Sequence, residues 1–323
     1  MKAAVYHKYG SWDQIHCEEV AKPVIKDGDV LVKVTASSIN SWDVDMLKGD
    51  TWIIRILNGF FTPRHRILGA DIAGVVEHVG KRVQHFRLGD EVYGDIAEAH
   101  FGGFAEYVAV PEKLLAKKPS NVSFAEAASL PQAALLAIQG MRFYGDIHKG
   151  QKILINGAGG GVGTLALQYA KARGAEVTCV DRTEKFKVVQ SLGADHLIDF
   201  TNADYTNTGN RYEKILDVIA HRKTSEYKRA LTTDGVFAMI GGSMGGLLFN
   251  MMAIQPTLSR FRTKKMGIMP YQAGHSNLEV ITQLVEDGTL RPVIDSVYSL
   301  DDVSDAFRHF MSGRFCGKIV IEI

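Results

Sequence analysis

The alternation of apolar and polar positions changes character partway along the chain. Through roughly the first 120 residues it has the two-residue period of half-buried strands, in short runs broken by glycine. Segments 29–40 (DVLVKVTASSIN), 71–80 (DIAGVVEHVG) and 90–96 (DEVYGDI) follow this pattern, and 104–119 reads as a strand pair ending at a proline. From Asn121 the texture turns helical. In 123–141 (SFAEAASLPQAALLAIQGM) Ser123 and Glu126 have the spacing of a capping box, and Pro131 interrupts the run. Beyond residue 150, short apolar strands alternate with helices. Strands are expected at 151–158, 175–181, 196–200, 212–219 and 235–242, with helices through Gly174 and over 183–192. Such alternation predicts a parallel, doubly wound sheet. Two amphipathic helices, 277–290 and 301–313, and a strand, 317–323 (GKIVIEI), complete the pattern.

These changes divide the chain into a β-rich domain, 1–121 with 271–323, and an inserted α/β domain, 122–270. A length of 323 residues suits two domains, and 46% hydrophobic residues suffice for two cores. Lys+Arg number 37 and Asp+Glu 36, giving a net charge of +1. This near-balance disfavours nucleic acid as a partner, because phosphate neutralisation calls for a basic excess. The three cysteines, Cys17, Cys179 and Cys316, are far apart and form neither a disulfide framework nor a zinc motif. With no apolar leader and no run of 18 apolar residues, the sequence predicts a cytoplasmic chain without a membrane span.

The strongest chemical signal lies between the first strand of the α/β domain and its helix. GAGGGVG (157–163) places Ala158, Gly160 and Gly163 at the spacing of a dinucleotide fingerprint, with Gly161 and Val162 opening the helix. The small residues allow a tight turn and a close approach of pyrophosphate to backbone N–H groups. Asp181 ends the next strand, where a carboxylate accepts from the ribose hydroxyls of NAD. Arg182 and Lys185 follow, a pair that could instead clamp the 2′-phosphate of NADP. The balance favours NAD.

Taken together, these segments resemble the medium-chain dehydrogenase/reductase superfamily, in its zinc-independent quinone oxidoreductase-like branch. The resemblance spans nearly the whole chain. It rests on 67–94, where Gly69, Asp71, Gly74, Gly80, Gly89, Asp90 and Gly94 keep the family spacing, and on 102–112, 123–141, the glycine loop, 191–200 and the last strand. It implies an α/β protein with a GroES-like β-rich domain and a Rossmann doubly wound domain, with NAD(P) between them. A homodimer joined through an edge strand at 263–271 (TKKMGIMPY) is also implied. The zinc-dependent relatives carry cysteine and a His-Glu pair where this chain has Asn40-Ser41 and Ala70-Asp71, so no metal is expected.

Without a Lewis acid, hydride addition to a quinone or enone is easier than reduction of an isolated ketone, because conjugation spreads the developing charge. The sequence thus points to an NAD(P)H-dependent reductase of quinones or α,β-unsaturated carbonyls. Its rivals are a general alcohol dehydrogenase or aldehyde reductase, and a non-catalytic dinucleotide-binding redox sensor. The resemblance places Asn40 beside the nicotinamide, against the cofactor ribose or substrate oxygen. It places Phe200 near adenine, and Ile219, Gly241 and Gly242 at strand ends facing the cofactor. Trp42 and Asp45 are candidate substrate contacts, although relatives often carry an aromatic residue at Asp45. Asp43 is expected to cap the turn after Asn40. Trp52, Phe60 and Phe61, in the apolar stretch 52–65 read as a loop, are candidates with Trp42 to wall an apolar pocket, but core packing is the expected role of any one of them. Arg64 and His65 read as surface charge, and Leu136 replaces a frequent family threonine.

Overall fold

A computed structural model describes residues 1–242 and 264–323. In chain order, a hairpin of β1 (Lys2–Tyr6) and β2 (Ile15–Glu19) leads to the long strand β3 (Asp29–Ser38) and two short helices, α1 (Ser41–Lys48) and α2 (Trp52–Asn58). Strands β4 (Asp71–Val79), β5 (Glu91–Asp95), β6 (Tyr107–Pro111) and β7 (Ala116–Lys117) follow, then α3 (Phe124–Ala128) and α4 (Pro131–Arg142). The α/β region holds β8 (Lys152–Asn156), α5 (Gly161–Ala172), β9 (Glu176–Asp181), α6 (Phe186–Ser191), β10 (His196–Asp199), β11 (Tyr212–Asp217), α7 (Thr224–Ala230), β12 (Leu231–Met239) and β13 (Lys265–Ile268). The chain closes with α8 (His275–Glu286), β14 (Ile294–Ser299), α9 (Val303–Met311) and β15 (Lys318–Glu322).

Two compact units result: Met1–Gln132 with Gln272–Gly288 and Pro292–Ile323, and Ala133–Tyr271 with Thr289–Arg291. Residues 122–132 thus fall in the first unit, although the helical texture sets them with the second in the sequence division. Hydrogen bonds explain this: Ser38 Oγ donates to Ala128 O at 2.8 Å, and Gln132 N donates to an Asp71 carboxylate oxygen at 2.9 Å. Pro131 opens α4, a position where its missing N–H costs nothing. The Ser123–Glu126 capping box starts α3.

In the first unit the sheet order is β14-β15-β3-β4-β5-β7, with β6 also paired to β3. Alternate residues Val30, Val32, Val34, Ile72, Val76 and Val92 fill its core. The terminal strand returns antiparallel to β3, with Val320 opposite Ser38. This pairing brings the end of the chain against the residues that follow β3.

The second unit holds a parallel sheet of order β10-β9-β8-β11-β12-β13. Counted from β8, this is 3-2-1-4-5-6, and the strand order reverses between β8 and β11. Covered on both faces, such strands read as continuous apolar runs rather than alternating ones. β13 forms one edge, within the segment expected to provide an edge strand; Thr263 of that segment lies outside the described residues.

Two expectations are overturned. The first part of 52–65 is helix, not loop, with Thr51 Oγ1 accepting from Ile54 N at 3.3 Å as its N-cap. Trp52, Phe60 and Phe61 are 69%, 59% and 86% exposed and take no part in the core. α2 is held by Ile54, buried in the cluster with Tyr6 and Leu47, and by polar links: Asn58 Nδ2 donates to the Tyr6 hydroxyl at 2.7 Å, and Asn58 Oδ1 accepts from His65 N at 2.9 Å. His65 stacks on His100 with centroids 4.3 Å apart, while Arg64 is exposed.

Lys214 is a buried cation on β11. Its Nζ donates to the carbonyls of Met141, Phe143 and Gly145 at 2.5, 3.2 and 2.8 Å, satisfying groups that the end of α4 leaves unpaired. Burial pushes this amine down to about 8. Lys214→Ala should cost about 3 kcal/mol in urea unfolding, since it strands these carbonyls and opens a cavity. A loss below about 0.5 kcal/mol would show that water replaces the amine at no cost.

Candidate active site

In the first unit, Asn40 follows β3 directly and forms the N-cap of α1. It belongs to a buried polar network. Asn40 Nδ2 donates to Asp71 Oδ2 at 2.9 Å, and Lys318 Nζ donates to Asn40 Oδ1 at 2.5 Å. The Lys318 ammonium also lies 3.3 Å from Asp71 Oδ2, and Ser38 Oγ lies 3.2 Å from the same oxygen, its one hydrogen shared between it and Ala128 O. Asp71 is 0% exposed. A buried carboxylate is tolerated only when paired and hydrogen-bonded, and this one meets a lysine, an amide, a hydroxyl and the N–H of Gln132. β4 supplies Asp71, the end of β3 supplies Ser38, the N-cap of α1 supplies Asn40, and β15 supplies Lys318.

Asp43 closes the next layer. Its carboxylate accepts from Asn40 N at 2.8 Å and Gly69 N at 2.9 Å, so it ties the start of α1 to the approach to β4. This is the capping role expected for it, extended to a second segment. Burial raises its carboxyl to about 7; the Asp71 charge adds to this, while the two backbone N–H groups and Lys318 oppose it. Trp42, half-buried, packs against the cluster that contains Tyr6, Ile39 and Phe104, and Asp45 is exposed on α1.

In the second unit, the glycine loop lies at the C-terminal end of β8, where the strand order reverses. Gly160 is the N-cap of α5 and has no side chain to occupy the first-turn N–H groups of Gly161, Val162 and Gly163. A Cβ on Gly163 would lie 2.2 Å from Gly157 O, so only glycine allows this helix to sit on the turn. A Cβ on Gly160 would meet nothing closer than 3.6 Å, leaving open space beside the helix N-terminus. Ala158 is buried.

Asp181 is engaged by the protein itself. Gly159 N donates to Oδ2 at 2.7 Å, Arg182 N donates to Oδ1 at 2.9 Å, and Lys185 Nζ lies 3.4 Å from Oδ1. Lys185 is folded down over Gly159, whereas Arg182 is exposed and sits 5.4 Å over the Phe200 ring. Ile219 is exposed at the end of β11, and Gly242 bridges to Ala220 beyond Gly241. The loop residues, Asp181, Arg182, Lys185, Phe200, Ile219, Gly241 and Gly242 all belong to this unit; Asn40, Trp42 and Asp45 belong to the first.

Sequence reasoning missed Lys318 and Asp217. Asp217, buried at the end of β11, accepts from Asn156 Nδ2 at 2.8 Å, Ile219 N at 3.1 Å and the Tyr205 hydroxyl at 3.2 Å, locking the strand ends on either side of the reversal. Each is a charged residue set against apolar neighbours in a strand, Lys318 in GKIVIEI and Asp217 in YEKILDVI, runs that also carry Glu322 and Glu213 with Lys214. That is the signal by which both could have been found.

Family models match two stretches: an alcohol dehydrogenase GroES-like domain over 26–120 and a zinc-binding dehydrogenase domain over 192–321. The chain is 35% identical to a 2-methylene-furan-3-one reductase of Solanum lycopersicum, over 99% of its own length and 79% of that protein's. It is 32% identical to a chloroplast envelope quinone oxidoreductase homolog of Arabidopsis thaliana, over 100% and 98%. The solved quinone oxidoreductase from Coxiella burnetii superposes with a TM-score of 0.89 at 24% identity, covering 100% and 99% of the two chains.

The raised Asp43 carboxyl makes stability depend on pH. Because its folded value, about 7, lies above the ordinary 3.8, its contribution is complete below the unfolded value and is lost as pH rises through 7. Melting curves from pH 4 to 8 should show wild type losing stability relative to Asp43→Asn, on top of a constant offset from the lost acceptor. Parallel curves would contradict a carboxyl raised by burial.

Proposed function

From the premise that this chain belongs to the medium-chain dehydrogenase/reductase superfamily, in its quinone oxidoreductase-like branch, we propose that it reduces quinones and α,β-unsaturated carbonyl compounds with NAD(P)H, and without zinc. The observation that carries this reading is the Asn40–Asp71–Lys318 network. Where zinc-dependent relatives hold metal ligands, it has an amide, a carboxylate already accepting several hydrogen bonds, and an ammonium group. That donor set does not fit zinc, which needs about three protein ligands and is repelled by a neighbouring cation. Among the described residues, no group of three or more His, Cys, Asp and Glu side chains converges.

The dinucleotide fits the second unit. Its pyrophosphate would lie against the N–H groups of Gly161, Val162 and Gly163, with Gly160 leaving the approach open. Ala158 supports the turn, and Phe200, Ile219, Gly241 and Gly242 line the adenosine and nicotinamide ends. When bound, the cofactor supplies the hydride. The protein's part is to orient it, exclude water and receive the charge that develops on the substrate oxygen. Asn40 retains one amide hydrogen for that oxygen, Trp42 offers a flat apolar wall, and Asp45 stands exposed on the same helix. Proton delivery to the carbon then falls to solvent.

The charge around Asp181 bears on cofactor choice. The sequence alone favours NAD, but both carboxylate oxygens are taken up by backbone N–H groups and Lys185, which lessens the repulsion of a 2′-phosphate. Exposed Arg182 can clamp that phosphate. We therefore expect NADPH to bind at least as tightly as NADH. The edge strand β13 would pair with that of a second copy to form a homodimer, and Cys17, Cys179 and Cys316, none of them joined in a disulfide, suit a reducing cytoplasm.

The test is oxidation of NADPH and NADH by 9,10-phenanthrenequinone, a simple enone and a panel of secondary alcohols. Turnover with the quinone or enone, and none with the alcohols, is expected; alcohol oxidation alone would overturn the reading. Arg182→Ala should weaken NADPH about tenfold and leave NADH unchanged. Gly160→Ala should weaken both cofactors by more than about tenfold while keeping the melting temperature, because the added methyl fills ligand space rather than protein space. Undiminished affinity in Gly160→Ala would move the pyrophosphate elsewhere.

A further inference from the structure

We propose that Lys318 is the positioning residue for Asn40: its ammonium decides which way the amide faces and therefore which group is presented to substrate. This rests on the reading of Asn40 above and deepens it.

The two faces of the amide meet partners of opposite and unambiguous character. A lysine ammonium can only donate, and an ionised carboxylate can only accept. Lys318 Nζ at 2.5 Å therefore requires oxygen on its side, and Asp71 Oδ2 at 2.9 Å requires nitrogen on the other. Either partner alone leaves the flipped amide a lesser penalty; both together exclude it. Oδ1 also faces the Asp43 N–H in the capping box of α1, so what remains for an outside ligand is one N–H of Nδ2.

The lysine is itself rigidly placed. Ile39 N donates to Ile319 O at 3.0 Å, and Lys318 N donates to Val293 O at 2.8 Å. Backbone pairing between β15 and β3 thus sets Lys318 beside Asn40 across 278 positions of sequence. The third contact, 3.3 Å to Asp71 Oδ2, neutralises a carboxylate that water does not reach.

That third contact offers a purely structural role, neutralisation of Asp71, and the experiment separates it from positioning. Lys318→Met, the double variant D71N/K318M, Asn40→Ala and N40A/K318M are compared in melting temperature and in kcat/KM with an enone. The Asn40 side-chain amide is followed by ¹⁵N NMR, its resonances assigned by their loss in Asn40→Ala. We expect K318M to lose about 10²-fold in kcat/KM, the scale of a misplaced contact group, and several degrees in Tm. D71N/K318M should regain Tm without regaining activity. In the N40A background, K318M should cost no further activity, since a residue acting through Asn40 has nothing left to orient. Activity returning together with Tm in D71N/K318M, or additive losses in N40A/K318M, would overturn the proposal. If wild type itself oxidised neither cofactor with any acceptor, the reductase reading would fall. Lys318 would then still be judged by the amide: shifted and broadened resonances in K318M support its hold on Asn40, and unchanged resonances refute it.

Discussion

A carboxylate sealed from water governs the first unit. Asp71 has no solvent to stabilise its charge, so every neighbouring segment must supply a donor: Ser38 from the end of β3, Asn40 from the start of α1, Gln132 from the start of α4, and Lys318 from the last strand. Removing one of a buried pair leaves the other uncompensated, at a cost of about 3–5 kcal/mol. The same requirement that binds four distant segments also leaves the Asn40 amide in one orientation. The substrate contact proposed for Asn40 therefore draws on the same atoms that stabilise the unit, because a satisfied polar network is rigid.

The second unit applies the same physics at the ends of its strands. Asp217 gathers Asn156, Tyr205 and the Ile219 N–H where the strand order reverses, and Asp181 gathers the N–H groups of Gly159 and Arg182. Each carboxylate turns a loop that could wander into a fixed lip of the sheet. The N–H groups at the start of α5 remain for an anion, since Gly160 offers no side chain to cap them. The hydride chemistry assigned here thus needs few protein groups beyond well-held donors.

Much of this architecture was legible along the chain because it rests on local rules. Period-two alternation located β3, β4 and β5, the capping box located the start of α3, and strand–glycine–helix order located the turn from β8 into α5. The failures have a common cause. α2 does not read as a helix because its outward face carries Trp52 and Ile56, so its apolar residues do not mark a buried stripe; only Ile54 and Asn58 turn inward, and the partners of Asn58 lie on β1 and in the loop after α2. Lys318 and Asp217 were passed over because each sits in a run that reads as plain core strand.

Sequence by itself determined the strands of the two sheets, the cap that starts α3 and the strand–glycine–helix turn at 157–163, all of which depend on near neighbours or on short spacings. Tertiary structure alone decided that Lys318 faces Asn40, that Asp181 is already engaged by Gly159 and Lys185, and that the aromatic residues of 52–61 lie outside the core. The first depends on the pairing of β15 with β3, far apart in the chain, and the others on where loops and side chains settle against the packed units. A buried charge states that a partner must exist, but only the fold says which one.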